Sequence, residues 1–349
     1  MYSTLNGLRG FAAVAVLTIH GQGFFGPWIA KSGYLAVDLF FVMSGFVIAH
    51  AYEGRFKSGL GTAEFFWIRF VRFYPLFLVG TVIGSISAVL AWKMGAGELG
   101  RSELIQAVFL GLFMLPSPDL NMSFALYPTN PPGWSLFYEL IINTFYVAFW
   151  RVLSNRVLLV TTAVAAAMIV VSAVYFGTLD IGSYWGTVSG GIIRVYFSFF
   201  AGVLIYRRGL PKLPPGVLSW IPLLLATGLV AVDVDGTARI VFDVFCVLVM
   251  FPAIIAVSTS IEPDRFSRSL FEYLGAASYA LYAIHAPILE LARRAVRMFG
   301  FAPATFAPWL GVALLLAIFA FALALNRLYD EPARRILSRL TRRVTAARS

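Results

Sequence analysis

Arg9 and His20 stand eleven residues apart in the apolar run that opens this 349-residue chain. In an α-helix, eleven steps of 100° return nearly to the starting face, about 16 Å further along the axis. An imidazole in an apolar setting takes a proton from a hydroxyl or carries an acyl group. The plainer alternative is a packed histidine satisfied by one backbone carbonyl. His285 belongs to a second cluster, in which Ser278, Tyr282 and His285 recur at i, i+4 and i+7 and give an apolar helix one polar face. That face is either part of a binding site or a hydrogen-bonded ladder between helices. His50, the third histidine, ends the second apolar run near an interface and reads as structural.

Asp38 and Glu139 lie within or against apolar runs. A buried carboxylate persists only if it is paired, protonated or wet. Glu139 either orients His20 or holds a substrate hydroxyl, or else it is the buried partner of Arg194 or Arg9. Ser135 shares its helical face; Trp134 does not. Arg69 and Arg72, three residues apart in an aromatic-rich stretch, fall on one side of a short helix that Pro75 interrupts or redirects. Two guanidiniums beside aromatic rings suit phosphates and an adenine. Basic residues at a membrane boundary also serve as snorkelling anchors. Tyr329-Asp330-Glu331-Pro332 closes the last apolar run with mixed charge and by itself says little.

The elements that must position these groups are transmembrane helices. Hydrophobic residues make up 60% of the chain and charged ones only 13%, about half the charged share of a soluble domain. Lipid must therefore be the solvent for much of the surface. About ten spans of roughly 20 residues are predicted: 8–27, 34–51, 73–92, 133–150, 157–175, 190–206, 216–232, 239–258, 272–291 and 306–326. A shorter apolar stretch at 103–115 reads as re-entrant or interfacial, and the Pro- and Asn-rich connection 116–132 as an ordered loop. The fold class is thus all-α and polytopic, with a transmembrane domain over 1–332 and a basic cytoplasmic tail over 333–349. The first run is read as a retained helix rather than a secretory signal, because His20 interrupts it and no convincing cleavage site follows.

The net charge of +10 sets orientation rather than nucleic-acid binding, since the basic residues are spread between apolar runs and along the tail. Most Lys and Arg, from Arg9 through Arg55, Lys57, Arg69 and Arg72 to Arg339, Arg342, Arg343 and Arg348, fall on the side of both termini, which places those termini in the cytoplasm. Arg293, Arg294 and Arg297 fall on the opposite side and are explained only as headgroup or substrate contacts. One cysteine, Cys246, excludes an intrachain disulfide. Three histidines on separate helices, without matching carboxylate spacing, do not make a metal site.

Taken together, these pieces resemble the acyltransferase family 3 membrane proteins, which acylate bacterial surface polysaccharides, lipopolysaccharide, peptidoglycan or certain secondary metabolites. The resemblance runs from Leu5 to about Pro332. It rests on Arg9-x10-His20, on GYLAVDLFFVMSG from Gly33 to Gly45, and on Arg69-x-x-Arg72 before Pro75. Trp134-Ser-Leu-x-x-Glu139, Ser278-Tyr279-x-x-Tyr282-x-x-His285 and Glu331-Pro332 complete it. Departures are mild: Asn6 stands where the family usually has an acid, Ala36 where it has Gly, and Met43 where it has Leu.

The resemblance implies a multi-pass protein of the bacterial inner membrane that takes an acyl group, commonly acetyl, from cytoplasmic acyl-CoA. It implies an extracytoplasmic polysaccharide or glycolipid hydroxyl as acceptor. His20 is then general base or transient acyl carrier, with Glu139 or Asp38 holding the imidazole or the acceptor. Arg9, Arg69 and Arg72 bind the donor; Trp134, Ser278, Tyr282 and His285 face the acceptor. No metal and no nucleic acid are expected, and membrane lipids are. Without a hydrolase-like domain after the last helix, such a chain works alone or passes its product to a separate periplasmic partner. The rival readings are a transporter or flippase for a glycolipid or small solute, which equally needs intramembrane His, Glu and Arg, and a noncatalytic assembly scaffold.

Overall fold

A computed structural model describes residues 2–118 and 125–346, with side chains to Arg339. The middle of the predicted 116–132 loop, the Arg342 and Arg343 side chains and Arg348 lie outside the described residues. The described residues are helical, with two isolated bridge pairs and no strand. In order the helices are α1 (Ser3–His20), α2 (Ala36–Lys57), α3 (Thr62–Lys93), α4 (Arg101–Leu112), α5 (Gly133–Phe149), α6 (Asn155–Phe176) and α7 (Val188–Arg208). They continue with α8 (Trp220–Ala231), α9 (Gly236–Phe245), α10 (Phe251–Ser260), α11 (Arg265–Met298), α12 (Trp309–Leu325) and α13 (Glu331–Ala346).

Local sequence accounts for several ends. Ser154 caps α6 by accepting from the Val157 amide, and Asp264 caps α11 by accepting from Phe266 and Ser267. Gly177 closes α6 in the left-handed region at φ +76°. Two single π-helical turns, Cys246–Met250 and Asn326–Asp330, join α9 to α10 and α12 to α13. Each directly precedes a segment carrying a proline at its second position, Pro252 and Pro332. Proline offers no N–H to the carbonyl four residues back, so the turn before it widens.

Six helical stretches are long and apolar enough to cross a membrane: Gly33–Lys57, Thr62–Lys93, Asn155–Phe176, Trp185–Arg208, Gly236–Ser260 and Trp309–Arg339. The chain is a multi-pass membrane protein. The other predicted spans also coincide with helices, but α1, α5 and α8 are short, at 18, 17 and 12 residues, and α11 carries charge at both ends. Polarity is inverted relative to a soluble fold. Arg194 and Asp38 are 1% and 0% exposed, while Val171 on α6 and Leu316 on α12 are 67% and 64% exposed. Apolar side chains face outward because hydrocarbon, not water, surrounds them.

α1 lies along α11, α2 along α7, and α3 against α11. Helices attract one another in lipid through close backbone packing, which small residues permit. At the α2–α7 crossing a Cβ on Gly45 would sit 1.8 Å from the Phe199 carbonyl oxygen, and one on Gly202 would sit 2.0 Å from that of Val42. Only glycine fits at either position.

Two expectations about local structure are corrected. Pro75 does not interrupt its helix: α3 runs unbroken from Thr62 to Lys93 with Pro75 buried inside it. Packing against neighbouring helices offsets the one lost backbone hydrogen bond. The first helix ends at His20, not near residue 27, because Gly21 caps it and the chain turns.

Candidate active site

The N-terminal parts of α1, α3 and α5, the first turns and middle of α2 and the middle of α11 enclose a cavity of about 200 Å³. Arg9, Arg69 and Arg72 line it together with Glu139, Ser44 and Ser278. Glu139 accepts from Ser44 Oγ at 2.6 Å and pairs with Arg69 at 3.2 Å. Its partner is therefore neither Arg194 nor Arg9, and it does not reach His20. The α3 guanidiniums are steadied by aromatic faces, Arg69 over Phe73 at 4.7 Å and Arg72 over Tyr279 at 5.0 Å. Arg9 donates to Ser278 Oγ at 3.1 Å, and among the described residues no carboxylate lies within ion-pair distance of it. Arg69 Nε and Arg72 Nη1 are buried without a hydrogen-bond acceptor. A buried donor left unsatisfied costs about 1–3 kcal/mol, so three guanidiniums facing one carboxylate suit an anionic, oxygen-rich ligand.

A second cavity, of about 530 Å³, opens around the C-terminal halves of α1, α3 and α11. His20 lines it with Trp92, Tyr184, Glu290, Arg293 and Arg294. Arg293 donates to the His20 backbone carbonyl at 3.0 Å and is ion-paired with Glu290. Arg294 pairs with Glu290 at 2.9 Å and donates to Ser87 Oγ at 3.1 Å. Two of the arginines that the charge pattern left stranded thus belong to the wall of the histidine cavity.

His20 and His285 meet between the two cavities. His20 Nδ1 lies 2.9 Å from the Val16 carbonyl, and His285 Nδ1 lies 2.9 Å from that of Tyr282 and 3.1 Å from that of Leu281. A carbonyl only accepts, so in the neutral rings both Nδ1 atoms carry the proton and both Nε2 atoms hold the lone pair. The His285 lone pair approaches His20 Nδ1 at 3.4 Å. Directly toward the arginine cavity, Tyr282 and Ser135 join hydroxyls at 2.6 Å, and Phe40 packs edge-on against the Tyr282 ring. From Ser278 to His285 along α11 is about 10 Å, and from His285 to Arg293 about 12 Å.

The remaining predicted site residues are placed elsewhere. Asp38 is fully buried against Arg194, 2.5 Å from Nη2, and also accepts from Ser198. It holds α2 to α7 and does not touch an imidazole. Trp134 lies on the Arg194 guanidinium and against Tyr138, and lines neither cavity. Ser278 and Tyr282 line the arginine cavity rather than the histidine cavity. His50 packs among Tyr2, Phe46 and Tyr206. Sequence reasoning assigned no site role to Ser44 or to the carboxylate of Asp330, which is 3.5 Å from Arg72. The available signal was an acid at the end of an apolar run.

Residues 2–327 match the family described as "Acyltransferase domain". Over 96% of its length the chain is 28% identical to the acyltransferase MdmB of Streptomyces mycarofaciens, covering 92% of that protein. It is 37% identical to "Protein 2 in picA locus" of Rhizobium radiobacter, over 49% of this chain and 94% of that protein. Over 82% of the chain it is 25% identical to the peptidoglycan O-acetyltransferase OatA of Listeria monocytogenes, of which it covers 49%, about half. No solved structure matches the chain significantly.

Proposed function

This chain belongs to the acyltransferase domain family and is a membrane acyltransferase; from that premise we propose that it moves an acyl group, acetyl in the first instance, from acyl-CoA to a hydroxyl of a glycan or glycolipid. The observation that carries the reading is the histidine pair, which stands between a guanidinium-lined cavity and a second, mixed-charge cavity. Arg9, Arg69 and Arg72 would take the donor phosphates, and His20 would meet the acceptor.

His20 acts through Nε2, because its Nδ1 proton is held by the Val16 carbonyl. Nε2 accepts the proton of the acceptor hydroxyl as that oxygen attacks the thioester carbonyl. The C–O bond forms, the C–S bond breaks, and the proton passes from the imidazolium to the departing thiolate. The His285 lone pair beside His20 Nδ1 steadies the imidazolium while it exists. Glu139 acts on the donor side by fixing Arg69, and Asp38 acts only by holding α2 and α7 together. Ser278 and Tyr282 flank the donor's path.

The topology that serves this reaction has ten crossings, both termini in the cytoplasm of a bacterium, and the arginine cavity on the cytoplasmic side of the inner membrane. α1, α3 and α11 run in one direction, each meeting the arginine cavity before the histidine cavity along the chain, as is expected of the first, third and ninth of ten spans. The test is acetyl-CoA binding and turnover by the detergent-purified chain, with Arg72→Ala and His20→Ala beside it. Binding lost in the first variant, and turnover alone lost in the second, is the expected result. Native protein that neither binds nor cleaves acetyl-CoA would overturn the donor assignment.

A further inference from the structure

Asp330 is a carboxylate with no exposed surface, placed where α12 passes into α13. The π-helical turn that ends on it adds about one residue to the helix interior and so rotates the side chains beyond it by about 100° relative to an unbroken α-helix. Its Oδ2 lies 2.8 Å from Arg334 Nη2 and 3.5 Å from Arg72 Nη1. An ionised carboxylate out of water requires such counter-charges. Both contacts are ion pairs in which neither Asp330 oxygen has a hydrogen-bond partner, and 3.5 Å gives Arg72 attraction without consuming an N–H. Arg72 Nη1 is indeed buried and makes no hydrogen bond.

Arg72 is therefore held from behind by charge and from one face by the Tyr279 ring, which is itself fixed by a hydrogen bond from its hydroxyl to the Phe73 carbonyl. Arg72 lines the arginine cavity, and Nη1, the nitrogen nearest Asp330, makes no hydrogen bond there. We infer that Asp330 is a positioning residue for the donor: it sets the Arg72 guanidinium toward the arginine cavity and does not itself meet the ligand. The inference rests on reading that cavity as the seat of the donor's phosphates. Asp330 is also shared with Arg334, so the first turn of α13 is tied to the donor seat through one oxygen, Oδ2.

The experiment is steady-state kinetics of the full detergent-purified chain with acetyl-CoA, alongside its thermal unfolding. Asp330→Asn keeps the shape and removes the charge. It is expected to raise KM for acetyl-CoA about tenfold, with kcat within about twofold and the unfolding midpoint near native. Asp330→Glu restores the charge and is expected to bring KM back to within about threefold of native. Arg335→Ala, on the same helix but paired with exposed Glu331, is expected to leave KM unchanged.

A native KM in Asp330→Asn, beside an Arg72→Ala variant that binds poorly, overturns the positioning role and leaves the donor reading intact. Joint loss of kcat and of the unfolding midpoint, unrescued by glutamate, also overturns it, since that is the signature of a packing role. Should Asp330→Asn not fold, Asp330→Glu decides: a KM as high as that of Arg72→Ala would overturn the inference. Native protein indifferent to acetyl-CoA overturns the reading beneath it as well.

Discussion

His285 directs the lone pair of its Nε2 at Nδ1 of His20 from 3.4 Å, while backbone carbonyls hold the Nδ1 proton of each ring. Two imidazoles from helices α1 and α11 thus share one chain of donors and acceptors, and only the Nε2 of His20 is left to a substrate. Neither carboxylate suggested by the sequence stands in for the second ring. The arrangement resembles an acid-base dyad in which the orienting partner is neutral.

His20→Ala is expected to lower acyl transfer by about 10²–10⁴-fold, the range of a general base. Donor binding should persist, because the arginines lie in the other cavity. His285→Ala should lower kcat by a smaller factor, with KM for the donor unchanged. Single-turnover assays with radiolabelled acetyl-CoA measure both, and equal loss of binding in the two variants would count against the division of labour.

Arg69→Lys is expected to impair the donor seat nearly as much as Arg69→Ala. Lysine cannot hold Glu139, the Phe73 face and a phosphate at once, as a planar guanidinium can. Equilibrium binding of acetyl-CoA reads this directly, and a lysine variant with native affinity would show that only the charge matters.

Tyr282→Ala removes the hydroxyl contact with Ser135 and the ring packed on Phe40. With that barrier gone, water should reach the thioester, and hydrolysis of acetyl-CoA without acceptor should rise several-fold while productive transfer falls. Release of free thiol in the absence of acceptor is the measurement.

Asp38→Asn leaves Arg194 buried with, among the described residues, no carboxylate within ion-pair distance. Breaking such a buried pair from one side costs about 3–5 kcal/mol, so thermal unfolding in detergent should move down sharply. Removing both partners together should cost less than the sum of the two single changes, because no lone charge remains.

Gly202→Val is expected to yield no folded protein. Its first side-chain carbon would lie 2.0 Å from the Val42 carbonyl oxygen, and backbone on both sides prevents relief at a cost below about 3 kcal/mol. A monodisperse peak on size exclusion would contradict the crossing.

Composition and apolar run length alone determined that the chain lives in a membrane as a bundle of helices, because hydrocarbon tolerates little else. The eleven-residue spacing of Arg9 and His20 determined that they share a face of one helix, since helical phase is a local property. The i, i+4, i+7 pattern of Ser278, Tyr282 and His285 likewise announced one polar stripe. The partners of those groups were decided by tertiary structure alone. Asp38 and Glu139 looked alike in sequence, each an acid beside aromatic and apolar residues. One was given to Arg194 on α7 and the other to Arg69 on α3. Ser278 and Tyr282 came to lie beside the arginines and not in the cavity that His20 lines, because α11 descends parallel to α1 and its depth fixes which chamber each turn meets. Arg293, Arg294 and Asp330 had no legible role until helix crossings brought them to His20, Ser87 and Arg72 respectively. Which buried charge meets which depends on contacts seventy or more residues apart along the chain, and no local period records them.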